Sequence, residues 1–492
     1  MNRFSLQCIF ILLFRAMLLA AQTTVPPLAI DGHFDDWDAR EVLVYDAAGD
    51  AGASGIDFRA LRITNDQHFL YVNIDFEGEV VLQRDNNITL LIDADASSRT
   101  GIRRAGVGAE LRWTFGSRSG VVRLGGKTVR VSHADIGFVP APTISSSRIE
   151  FALRRDVVIN GQPLYTSDSI RLALLVNEKH GDRIPDDDGG VTYAWHNSHA
   201  PKPRERQLLD PGSGVVRVLT WNVDRNGLLD ANRRPVFERM LRAIKADVMC
   251  FQECFTLSAD RVRRMVESAI PAPIGRRWHA VKIDAGNILV THLDVDQSWL
   301  IQQNYRGSAF LLNAGAAKRM LLINAHFRCC DADEHRQKEA DGVIAFLRDA
   351  KTPGGRAELP RGTPIVIAGD LNLVGDRRQL STLLTGDILD NNRFGPDRAP
   401  GWNGAELTVL ESVHPTSRFI YTWYNANSSF APGKLDYILY TSDIIDAVWN
   451  MTIDTRKMSN EQLKRLGLKA DDAVRASDHF PRVADFLWRN FR

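Results

Sequence analysis

Net charge, long apolar runs and cysteine are all in short supply in this chain. A formal net charge of +1 excludes a globally basic coat for nucleic acid. Past the N-terminus no apolar run approaches the roughly 20 residues of a spanning helix, so no transmembrane segment is expected. Only five cysteines occur in 492 residues, and no paired CxxC-type spacing marks a zinc site. Apolar content of 44% and charged content of 25% are those of an ordinary globular protein, and the length calls for two or three domains.

Residues Met1 to about Ala21 carry Arg3, an apolar run from Phe4 to Phe14, and small residues ending at Ala21. That order is a secretory signal peptide cleaved before Gln22, so a secreted or periplasmic protein is expected. Arg15 interrupts the run, which keeps an uncleaved membrane anchor as the alternative; no lipobox cysteine stands at the junction. Cleavage removes Cys8 and leaves Cys250, Cys254, Cys329 and Cys330, which form either two disulfides or four free thiols.

From Leu28 to about residue 200 the chain reads all-β. Phe69–Phe76 and Asn87–Asp93 have strand composition, polar and glycine-rich turns separate such runs, and no long helical period appears. A β-sandwich is the natural architecture. Asp186, Asp187 and Asp188 read as a solvated run in a loop, and residues 201–214, rich in Pro, Gly and charge, as a linker. Asp93 and Asp95 are either calcium ligands or turn caps, and Trp113 and Trp195 either stack on a sugar or fill the core.

Beyond the linker, from Val215 to about residue 490, short apolar strands alternate with helical patterns, and each strand ends in polar groups. Val215–Asp224 closes on Asn222 and Asp224, and Asp247–Glu253 on Gln252 and Glu253. Leu321–His326 ends in a histidine, and Pro364–Asn372 delivers Gly369, Asp370 and Asn372, with Gly369 read as the point where the backbone leaves the sheet. Lys434–Leu439 carries Asp436 between apolar neighbours, and Ala476–His479 offers Asp478 and His479. A carboxylate buried in a strand needs a partner, and a histidine is the obvious one. Net charge is about −6 over Gln22–Gly214 and about +5 over Val215–Arg492, which suits a polyanion-facing second domain.

In order, Trp221-Asn222, Gln252-Glu253, Asn324-Ala325-His326, Gly369-Asp370-Leu371-Asn372, Thr422-Trp423, Leu435-Asp436-Tyr437 and Ser477-Asp478-His479 resemble the endonuclease/exonuclease/phosphatase superfamily over nearly all of Val215–Phe486. The resemblance implies a DNase I-like four-layer α/β sandwich with its active site at one edge of two packed sheets. It implies that Asn222 and Glu253 bind a divalent metal, Mg²⁺ with Mn²⁺ able to substitute, and that Asp224 and Asp478 contribute. Asp370 then orients or deprotonates the attacking water and Asn372 holds phosphate or nucleophile. His326 and His479 contact the phosphate or act as general acid, with Asp436 orienting His479. The segments Ile30–Trp37, Asp57–Asn65 and Ile92–Gly101 resemble family-nine-like carbohydrate-binding modules, which implies a glycan ligand for the first domain.

The substrate expected from these readings is a phosphodiester, nucleic acid first, cleaved by an exported monomeric nuclease. Arg225, Arg276, Arg277, Arg328, Arg377 and Arg378 are candidate phosphate contacts, and Trp402, Trp423 and Tyr424 candidate stacking groups, with Trp423 placed in the core by its motif. Lipid, sugar or inositol phosphates are the alternative, and a catalytically idle glycan-binding protein is the non-enzyme reading.

Overall fold

The computed structural model describes residues 27–197, 203–315 and 318–489. The signal-peptide reading of residues 1–21 lies outside them. Between Val44 and Ala194 two antiparallel sheets face each other. One holds Val44–Tyr45, Phe58–Asn65, Phe69–Val80, Ser146–Arg154 and Val139–Ala141; the other is centred on Ile88–Asp93 and Ser169–Val176. Leu70, Val72 and Ile74 from the first sheet and Leu90, Ile92, Leu172 and Leu174 from the second alternate into a common core. Trp113 is 1% exposed in that core, so it does not stack on a sugar. Trp195 is half-buried under the Arg155 guanidinium, 4.3 Å from its ring centroid.

The second half is built from two six-stranded sheets. The first runs His279–Val281, Ile288–Thr291, Val248–Gln252, Val216–Asn222, Arg482–Trp488, Ile445–Thr452. The second runs Asp294–Leu300, Gly307–Gly315, Lys318–His326, Ile365–Asp370, Asp436–Tyr440, Thr408–Val409. Alternation sorts the side chains: Val216, Val218, Val248 and Cys250 pack toward the second sheet, while Leu219, Trp221, Met249 and Phe251 pack with the helices Arg234–Ile244 and Ala259–Ala269. Helix Asp333–Ala350 covers the second sheet with Ala340, Val343, Ile344 and Leu347. Helix, sheet, sheet, helix gives the expected four layers.

A buried ion pair pins the first sheet. Arg217 is 1% exposed; its guanidinium meets both Asp485 oxygens at 2.6 and 2.8 Å and donates to the carbonyls of Leu209 and Ile244. Removing one partner strands a buried charge, so Asp485→Ala is expected to cost about 3–5 kcal/mol, read as a lowered urea midpoint.

The two halves are not beads on a string. Ile30 forms a parallel bridge with Phe419, and Phe69 packs edge-on against the same ring with centroids 5.2 Å apart. Ser145 N–H donates to the Gly375 carbonyl (2.7 Å), Arg377 reaches Glu79 (3.1 Å), and the Arg84 guanidinium bonds Asp333. The described part of the linker is also docked: Leu208 is buried and its N–H donates to Gln462 Oε1 at 2.6 Å.

The four described cysteines are free thiols. Cys250 and Cys254 are buried and Cys329 and Cys330 exposed, so no bridge ties the two strand ends together.

Candidate active site

The register of the second sheet explains why distant polar residues meet. His326 pairs with Asp370 on the parallel neighbour, and Asp370 pairs with Asp436 on the antiparallel one. In the first sheet Asn222 pairs with Gln252, one residue before Glu253. All these strand ends lie at one edge of the packed sheets. Gly369 stays within the strand, between Ala325 and Tyr437, and does not mark where the backbone departs. A Cβ there would sit 1.8 Å from the Ala325 carbonyl oxygen, which is why the position takes glycine.

Asp370 is the hub. Its Oδ2 accepts from Asn222 Nδ2 at 2.9 Å and lies 3.5 Å from His326 Nε2 and 3.8 Å from His479 Nε2. Burial raises its pKa, and the favourable field of His479 only partly offsets that. His479 Nδ1 lies 2.9 Å from Asp436 Oδ2, which also accepts from Thr422 Oγ1 at 2.7 Å. Burial alone would lower the His479 pKa, but Asp436 and Asp370 outweigh it and hold the ring in its charged form. His326 Nδ1 has no hydrogen-bond partner among the described residues; burial, then Arg306 and His479, push its pKa well down. The two imidazoles that the motifs make equivalent are therefore electrostatically opposite.

A polar network supports the hub. Ser477 Oγ donates to the Asn222 carbonyl (2.8 Å) and accepts from His479 N–H (3.1 Å), while Trp221 Nε1 donates to the His479 carbonyl (2.9 Å). Asn372 Nδ2 donates to the Phe327 carbonyl at 3.1 Å. Several of these groups sit on left-handed backbone without being glycine: Asp224, Arg225, Asn226, Glu253 and Asn372 have φ between 46 and 67°. Strain of this kind persists only where surrounding contacts enforce it.

The residues assigned to a metal gather beside the hub. Asn222 Nδ2 donates to Glu253 Oε1 at 3.2 Å, and Asp224 and Asp478 line the same cleft. Asp224 is held above the ordinary carboxylate range by burial and by Asp478, despite an ion pair with Arg233 at 2.8 Å. Oxygen atoms of Asn222, Glu253, Asp224 and Asp478 are of the kind a hard divalent cation takes, though the ligand atoms that already lie within 4.8 Å of one another at this site are those of Asp370, Asp436 and His479. Asp93 and Asp95 both accept from Ser97 N–H at 2.9 Å, and Thr100 bonds Asp95, so they cap a turn, while Asp93 Oδ2 is left without a hydrogen-bond partner among the described residues beside Asp95 and Glu110.

The cleft over the hub has a volume of about 290 Å³. Leu82, Gln83, Arg84, Pro140, Pro142 and Thr143 of the sandwich form one wall, and Phe430 and Ala431 flank it. Gln83 is anchored there, its Oε1 accepting from Ala431 N–H at 2.8 Å. Trp423 belongs to this lining and not to the core, with Nε1 donating to Asp478 at 3.0 Å. Of the arginines proposed from sequence only Arg225 reaches the cleft; Arg377 is spent on Glu79, and Arg277 lies on another depression. Arg306 lines the cleft and is absent from that set. A signal for it exists: it precedes Gly307–Gly315, which pairs antiparallel with the His326 strand and so begins where that strand ends. Trp402 is buried, its Nε1 donating to the Thr363 carbonyl at 2.7 Å, and does not stack on a base.

A model of the Endonuclease/Exonuclease/phosphatase family matches residues 219–479. The chain is similar in structure to the human nocturnin catalytic domain with bound sulfate, at 15% identity and TM-score 0.35, covering 57% of this chain and 96% of that one. It is also similar to sphingomyelinase C from Streptomyces griseocarneus, at 18% identity and TM-score 0.35, covering 56% and 99%. The third, an AP endonuclease from Leishmania major, shows 15% identity and TM-score 0.34 over 56% and 89%. No curated protein matches the sequence.

Proposed function

Because this chain belongs to the endonuclease/exonuclease/phosphatase family, whose members are metal-dependent phosphoester hydrolases, we propose that it hydrolyses a phosphodiester small enough, or with an end free enough, to enter a cleft walled on one side by its own sandwich. The observation that carries this reading is Asp370 held between two imidazoles at the floor of that cleft. Asp370, fixed by Asn222, accepts the proton of the attacking water. The water oxygen forms the new P–O bond, and the ester oxygen opposite leaves with the electron pair of the broken bond and takes up a proton. His479, charged and braced by Asp436, faces the developing charge on phosphorus, and His326 and Asn372 flank it. Asn222 and Glu253, with Asp224 and Asp478 beside them, would hold Mg²⁺ or Mn²⁺. When bound, such an ion neutralises phosphoryl charge and orients the ester. Arg225 and Arg306 supply further positive charge at the rim. Export, supported by the apolar N-terminal run, belongs to the same proposal.

The size of the cleft narrows the substrate. About 290 Å³ lies at the low end of small-molecule sites, which run from roughly 300 Å³ upward. A cleft of that size with Pro140 and Pro142 in its wall suits a compact diester or a single-stranded terminus better than intact duplex. Bis(p-nitrophenyl) phosphate is therefore expected to turn over with Mg²⁺, to stop turning over with EDTA, and to recover when Mg²⁺ is restored, whereas supercoiled plasmid stays largely unnicked. Plasmid nicking without turnover of the small diester would overturn the enclosed-substrate reading; no Mg²⁺-dependent hydrolysis of either would overturn the reaction itself.

A further inference from the structure

A second cluster of carboxylates lies in the sandwich. Asp46 and Asp50 come from the loop that leaves the first sheet after Val44–Tyr45, and Asp182 and Asp186 flank the short strand Arg183–Ile184 of the other sheet. One carboxylate oxygen from each lies within 4.8 Å of the others. The two segments are held together by other contacts: Ser54 N–H donates to Glu178 Oε1 at 2.9 Å, and Gly52 packs so closely on the turn that a Cβ would meet the His180 carbonyl oxygen at 2.5 Å.

Acidic clusters at a surface are common and usually idle. This one differs in how Asp46 is placed. Its side chain is only 8% exposed, it lies within the cluster, and neither of its oxygens has a hydrogen-bond partner among the described residues. A buried carboxylate with both oxygens unsatisfied is among the costliest arrangements a fold can hold. Asp57, next to it, has one buried oxygen in the same state. No ion pair to Lys or Arg involves Asp46, Asp50, Asp182 or Asp186 among the described residues. Burial, then the fields of Asp182, Asp186 and Asp50, raise the Asp46 pKa to about 8. The Arg183 guanidinium turns away to Asp188 at 2.7 Å.

We propose that Asp46, Asp50, Asp182 and Asp186 form a calcium site that staples the two sheets of the sandwich at one edge. Oxygen-only donors disfavour the softer transition metals as the bound ion. Four carboxylates on adaptable loops suit the six to eight flexible contacts of Ca²⁺ better than the rigid octahedron of Mg²⁺. Two donors are buried and two exposed, so the ion would sit at the rim, with Asp46 satisfied from below. The site is distinct from the phosphoester centre and does not depend on the reaction proposed there.

The test uses the full chain carrying Glu253→Gln, so that calcium held beside Asp370 is not counted. Equilibrium dialysis against Ca²⁺ in excess Mg²⁺ is expected to give one ion per chain, falling to none with Asp46→Asn. Thermal melts give a second reading. Raising Ca²⁺ to about a hundredfold above its Kd should lift the midpoint by about 5 °C, and Asp46→Asn should abolish that lift. In chelator above about pH 8 the same substitution should raise the midpoint, because there it removes a carboxylate that burial and its acidic neighbours make costly to ionise. Should Asp46→Asn fail to fold, Asp186→Asn, whose side chain is exposed, carries the same comparison with at least a tenfold weaker Kd expected. No bound Ca²⁺ at about 10 mM, or an undiminished calcium response in the folded variants, overturns the proposal.

Discussion

Asp370→Asn is expected to lower kcat for the small diester by about 10²–10⁴-fold while leaving the thermal midpoint unchanged or higher. The two halves of that expectation have separate causes. Asp370 alone touches Asn222, His326 and His479, so its carboxylate is the one base within reach of all the groups that would surround a reacting phosphate. It is also 1% exposed, and an amide of the same shape removes a buried charge without opening a cavity. A residue that mattered only for folding would show the reverse, a lower midpoint with kcat preserved per folded molecule. Asp436→Asn tests the layer behind. It touches no substrate in this reading and acts through His479, so its effect on kcat should be smaller, about 10–100-fold, and should not add to that of His479→Ala. Circular dichroism and melts on each variant separate loss of chemistry from loss of fold. Wild-type kcat in folded Asp370→Asn would remove it from the mechanism.

Much of this hub is legible in the amino-acid order alone. Each polar group follows a short apolar run, and parallel strands in register bring their ends to the same level; His326 beside Asp370 is that geometry. Asp436 can be paired with a histidine because a strand-buried carboxylate needs one. The residues that escape such reading are those positioned by docking and not by their own strand. Leu82, Pro140 and Pro142 carry no chemical signature, and nothing local says that a sandwich loop will roof a cleft more than 200 residues away in sequence. Trp423 reads as core from its place in the motif, yet the indole turns outward to Asp478. Asp186 reads as one of three solvated acids for a similar reason: Asp46, which makes it unusual, lies in a loop leaving the other sheet. Polar strand ends are written locally; walls and clusters that join two sheets are not.

A second large effect is expected in the isolated Val215–Arg492 fragment. A sandwich that merely tethers the enzyme would leave this fragment soluble and fully active. The contacts argue otherwise. Leu28, Ile30, Trp37, Tyr71, Ala141 and Ala152 belong to one continuous apolar cluster with Leu208, Phe419 and Tyr421, so truncation bares part of a core. At roughly 25 cal/mol per Å² of apolar surface, exposing even a few such side chains costs several kcal/mol, comparable to the whole stability of a typical domain. The Ile30–Phe419 bridge and the bonds from Ser145 and Arg84 go with it. The fragment is expected to aggregate or melt at least about 10 °C below the full chain. Whatever remains folded should show KM for the small diester raised at least tenfold, because one wall of the cleft is missing. A chain cut at a protease site placed at position 200, but not separated, supplies the control: the halves stay docked and activity should persist. Loss on separation with retention on nicking assigns the sandwich to the catalytic unit. A monomeric fragment with undiminished kcat/KM would return it to the role of a tether.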